Sequence, residues 1–75
     1  MRDAISAAIM TVFLRSKLTE TEFAERLGIN RSEVIRWLNG QNIPSAKYIS
    51  RLKDEFFHLM DWDWFIDLYR RDDLK

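Results

Sequence analysis

The stretch from Leu18 to Gly40 limits the fold of this chain more than any other. It holds two helix-entry signals with almost nothing between them. In the first, Thr19 is placed to cap a helix and Glu22 follows three residues on. That is the spacing of a capping box, in which each side chain satisfies a free backbone N–H near the other. Leu18 and Phe23 occupy the flanking staple positions. Asn30 and Glu33 repeat the device, with Ile29 and Val34 as the second staple. Gly28 ends the first of these helices, because it takes a left-handed conformation that other residues resist. Only Gly28, Ile29 and Asn30 then join the two helices. So short a connection forces a steep crossing.

The rest of the chain reads as helix too. Gly28, Gly40 and Pro44 are the only glycines and proline, and no segment alternates long enough to predict a strand. The expected fold is all-α, five short helices in one domain over residues 1–75, with a helix-turn-helix at about 19–40. A first helix from Asp3 to Arg15 places Ile5, Ile9, Val12 and Phe13 inward. The third helix ends at Asn39-Gly40. Pro44 blocks continuation, and Ser45 can cap a fourth helix from Ala46 to His58 with Ile49, Leu52 and Phe56 inward. Asp61 can cap a fifth to about Arg71, stapled by Met60 and Phe65.

Several function classes drop out. Ala4 to Leu14 is apolar behind Arg2, but Asp3 and the lack of a small-residue cleavage site argue against an export signal. The run is also too short to cross a bilayer. The chain has no cysteine, which fits a reducing cytoplasm, the expected location, and excludes thiolate metal sites. His58 has no second histidine beside it, and Asp61 and Asp63 lack the glycine of a calcium loop. No nucleophile–base set stands out, so neither enzymatic activity nor a metal or other cofactor is expected.

The third helix carries the chemistry. At about 100° per residue, Val34, Trp37 and Leu38 share one face, which is expected to pack on the second helix. Ser32, Arg36 and Asn39 lie opposite, with Ile35 beside them and Arg31 on the flank. Arginine can donate two bonds to guanine O6 and N7, serine can bond several base edges, and an aliphatic group can touch a thymine methyl. Asn39 at the helix end can bond a phosphate or an adenine.

Residues 18–52 resemble the lambda-repressor-like, or XRE-type, helix-turn-helix family. The likeness rests on Leu18-Thr19, Phe23-Ala24, Leu27-Gly28-Ile29, Val34, Trp37-Leu38, Asn39-Gly40, Pro44-Ser45 and the Ile49/Leu52 pair. The resemblance implies five helices, a homodimer on a palindromic operator in double-stranded DNA, and transcriptional regulation, in many members as phage or prophage repressors. It assigns base reading to Arg31, Ser32 and Arg36, with Ile35 adjacent. Phosphate contact falls to Thr19, Asn39 and the loop from Gln41 and Asn42 to Ile43. Three positions depart from the family. Glu20 stands where glutamine often contacts phosphate, the loop after the third helix is neutral where it is often basic, and the last helix is acidic and aromatic.

The charge balance fits weak, selective binding. Residues 26–53 carry a net +5, residues 20–58 net zero and residues 59–75 net −2, so the whole chain is neutral. Phosphates need local positive charge, not a positive total. In the acidic aromatic helix at about 61–71, Trp62, Trp64, Phe65 and Tyr69 are candidates for a dimer or partner interface. The same aromatics could instead complete the core under the first helix. The rival function is an antirepressor, a module on this fold that binds another regulatory protein.

Overall fold

The computed structural model describes residues 2–73. Five α-helices run in the order α1 (Arg2–Ser16), α2 (Glu20–Leu27), α3 (Arg31–Leu38), α4 (Ala46–Glu55) and α5 (Trp62–Asp73), with a short 3-10 turn at Phe57–Leu59. No strand occurs among the described residues. The α1 helix lies at the centre and touches α3, α5 and the 3-10 turn. Its residues Ile5, Ala8, Ile9 and Val12 are buried, and Phe13 is half-buried.

The first capping box forms as expected. Thr19 Oγ1 accepts from the Glu22 N–H at 3.1 Å, and Glu22 Oε1 accepts from the Thr19 N–H at 2.9 Å. These bonds hold Glu22 below its ordinary pKa of 4.5, the backbone bond to Thr19 more than the hydroxyl bond. A carboxyl lowered in this way stabilises the fold above its unfolded pKa and loses that contribution as pH falls through the folded value. Thermal melts at falling acid pH are therefore expected to drop more steeply for the wild type than for Glu22→Gln. Parallel curves would show that the box carries no such linkage.

The second box does not form. Asn30 takes the N-cap backbone conformation, but its side chain makes no cap bond. Glu33 turns away from Asn30. Its carboxylate instead lies 3.7 Å from the Arg36 guanidinium and accepts from Asn42 Nδ2 at 3.4 Å. Two donors from the next turn and the following loop thus replace one backbone N–H.

Between α2 and α3, Gly28 adopts φ +70°, and its N–H and that of Ile29 close onto the carbonyls of Glu25 and Ala24. This is the paired-bond ending in which a left-handed residue satisfies the last free carbonyls of a helix. Arg51 reaches across from α4 to donate to the Leu27 carbonyl at 3.2 Å. The left-handed backbone disfavours a side chain at residue 28, and a Cβ there would sit 3.1 Å from that same guanidinium, which would have to shift by a few tenths of an ångström. At the other end of α3, Ser6 Oγ lies 2.9 Å from the Trp37 carbonyl and 2.8 Å from the Leu38 carbonyl, and so ties α1 to the last turn of α3.

The α4 helix stops at Glu55, three residues short of the expected His58. Tertiary bonds account for this. The Trp62 indole donates to the Phe56 carbonyl at 3.2 Å, and Arg15 donates to the Leu59 carbonyl at 2.8 Å. The chain bends at Phe56 to present both carbonyls, and Asp61 then caps α5 by accepting from the Trp64 N–H at 3.2 Å.

Trp62 and Phe65 are corrected by the structure. Both are buried, at 4% and 0% exposure, and belong to the core of the single chain, so they offer no surface to a partner. Their rings lie 5.2 Å apart on α5, which packs on α1. The α1 helix packs on both α3 and α5, and Trp62 and Phe65 share one core with its buried residues.

Candidate nucleic-acid interface

The α3 helix is short, and its orientation follows from two residues. Val34 and Trp37 are buried at 0% and 1% exposure and hold one face against the core. Leu38 is half-buried beside them. The opposite face must then point outward. Ser32, Arg36 and Asn39 are exposed on that side with half-buried Ile35 beside them, and Arg31 is exposed on the flank. Each residue assigned to base reading is therefore available to a ligand that approaches along α3.

The residues assigned to phosphate contact lie at either end of this ridge. Thr19 and Glu20 begin α2, and Glu20 Oε1 sits 3.0 Å from Arg31 Nη2, which brings the start of α2 beside the start of α3. Thr19 is exposed, with its hydroxyl already serving the α2 cap. Gln41 and Asn42 are exposed at the other end. Their backbone N–H groups close onto the Arg36 carbonyl at 2.9 and 3.4 Å, so the loop folds back against the last turn of α3. Ile43 differs from its neighbours, being half-buried and packed on the core.

Charge on the ridge is balanced locally. Arg31 is paired with Glu20 and Arg36 with Glu33, at 3.0 and 3.7 Å. The arginine side chains remain 60% and 53% exposed, against 35% and 34% for the carboxylates. The cations stand out toward solvent while the anions lie back on the flanks. Exposed pairs of this kind contribute roughly 0.2–1 kcal/mol each, little enough for an incoming guanine or phosphate to replace.

Sequence reasoning did not find the Glu20–Arg31 pair. The two residues are eleven apart and on different helices, so no helical periodicity links them. The buttress of Arg51 was missed for the same reason. Its guanidinium supports the turn and lies 6.0 Å from the Tyr48 ring, with Lys47 5.6 Å away on the same ring.

Of the aromatic interface candidates, Trp64 is 52% exposed and Tyr69 is half-buried. Trp64 borders an open apolar groove with Met60, Ala4, Ala7 and Thr11. Among the described residues, no three His, Cys, Asp or Glu side chains are placed to share a metal ion, and no helix is long and apolar enough to cross a membrane.

The helix-turn-helix family model matches residues 9–56, from the middle of α1 to the end of α4. Neither a curated protein nor a solved structure matches the chain. The matched span holds the capped α2, the glycine turn, the buried Val34 and Trp37, and the exposed arginine face. With these features in their expected places, the chain belongs to the lambda-repressor-like helix-turn-helix family, whose domains are DNA-binding transcription regulators.

Proposed function

We propose that this protein is a sequence-specific transcriptional repressor of bacterial or phage type that binds a palindromic operator as a homodimer in the cytoplasm. The observation that carries the reading is the α3 ridge: Ser32, Ile35 and Arg36 stand on the side opposite buried Val34 and Trp37, with exposed Arg31 on the flank. The α3 helix enters the major groove, its arginines take guanine edges, and Ile35 meets a thymine methyl. Thr19, Asn39, Gln41 and Asn42 meet the phosphates on either side. Two such units, joined through the surface around Trp64 and Tyr69, set the spacing of the half-sites.

The antirepressor reading draws support from apolar side chains off the α3 ridge: Trp64, Phe57 and Leu14 are 52%, 58% and 65% exposed. Selecting bound fragments from a genomic DNA library, followed by salt titration of the best one, separates the two. The repressor reading predicts a palindromic fragment with a steep salt slope. No enrichment even at low salt would overturn it and turn the search to protein partners of the Trp64 surface.

A further inference from the structure

We infer that Glu20 and Glu33 are specificity-determining residues: they hold the α3 arginines in exchangeable ion pairs and keep carboxylates at both flanks of the ridge, which suppresses binding to DNA of the wrong sequence. This inference rests on the DNA-binding reading above. A helix lying in a major groove has a phosphate strand on each side. Glu20 lies on the α2 side of α3, against Arg31. Glu33 lies on the loop side, within reach of both Arg36 and Asn42. Glu33 makes no capping bond at the start of α3, and Glu20, in the first turn of α2, pairs with an arginine of the next helix.

The consequence follows from comparing two complexes. On a random sequence, affinity comes from phosphate contacts alone. There the arginines would give up carboxylates for phosphates, a near-equal exchange, while the two carboxylates face phosphates at a cost. On the right sequence each arginine gains two directed bonds to a guanine, and its remaining N–H groups are free to keep the carboxylate. The carboxylates therefore weaken both complexes, but they cost the random one more free energy, because there they compete with phosphate for the whole guanidinium charge, whereas at a guanine one Nη of each arginine stays with its carboxylate. Discrimination against wrong partners by built-in repulsion is a general device of specific interfaces.

The test compares Glu20→Gln and Glu33→Gln with Glu25→Gln. Glu25 is an exposed residue of α2 without an ion pair, so its change removes the same charge away from the ridge. Affinities are measured for a random-sequence duplex and for the best selected fragment, with circular dichroism to establish folding. Either ridge variant is expected to bind the random duplex about three- to tenfold more tightly, with the log–log salt slope steeper by roughly one phosphate contact. Affinity for the selected fragment should rise less, so the ratio between the two falls. Glu25→Gln should leave the ratio unchanged. An equal effect from Glu25→Gln, or equal gains on both duplexes, would overturn the inference and leave the DNA-binding reading standing. If no variant binds either duplex, the DNA-binding reading itself fails.

Discussion

Replacing Arg36 by alanine is expected to lower affinity for the selected operator by at least tenfold and to leave the fold intact. Arg36 is exposed and its side chain pairs with Glu33 on its own helix, so truncating it should change stability by no more than about 0.5 kcal/mol. In the proposed base reading, two bonds donated to a guanine are worth about 1–3 kcal/mol of discrimination at one base pair. A two-fold complex has that contact in each half-site, which doubles the effect on the full operator. Binding to random DNA should change far less, because the residue is half-neutralised by Glu33 already. Arg36→Lys sharpens the test. It keeps the charge and the reach but lacks the planar fork, and should lose most of the sequence preference too. Measured by fluorescence anisotropy on the operator, an Arg36→Ala protein with wild-type affinity would move base reading away from α3.

The largest effect on stability is expected at Phe23. Its ring is wholly buried where three elements meet: it stacks on Phe56 at 4.7 Å and 6°, and stands edge-on to Phe13 at 5.3 Å and 87°. It thereby joins α2 both to the end of α1 and to the end of α4. Truncation to alanine removes the buried ring, leaves a cavity and breaks both aromatic pairs, at a cost of about 3–5 kcal/mol. A domain of this length has a total stability of only about 4–11 kcal/mol. Phe23→Ala is therefore expected to shift the urea midpoint to a fraction of its wild-type value or to unfold the chain outright. Phe23→Leu keeps much of the volume and should lose clearly less. A loss below about 1 kcal/mol for the alanine variant would mean that the site collapses around the missing ring.

Arg36 and Phe23 belong to neighbouring layers of one motif, and the buried layer holds the exposed one in place. Phe23, Val34 and Trp37 hold α2 and α3 against α1, and Ser6 fastens the last turn of α3. Arg36 can offer both its donors to one base edge only if that frame stays rigid.

What the sequence determined by itself is local. The capping box of α2 and the glycine turn are set within a few residues of each other, as is the break at Pro44, by backbone geometry and short-range hydrogen bonds. Each appears where the pattern places it. The inward faces of α1, α3 and α4 follow from helical periodicity, and the family match follows from the same positions. What only the tertiary structure decided lies between elements distant in sequence. The Asn30–Glu33 box has the right residues, yet Arg36 and Asn42 draw Glu33 away. For Trp62 and Phe65 the sequence left open both a partner surface and a place under the first helix, and only the packing of α5 on α1 buries them. Glu20 meets Arg31 only because a three-residue turn folds α3 back across the start of α2. Side-chain partners of this kind depend on which helix faces lie within a few ångströms of each other. Periodicity along one helix carries no information on that distance.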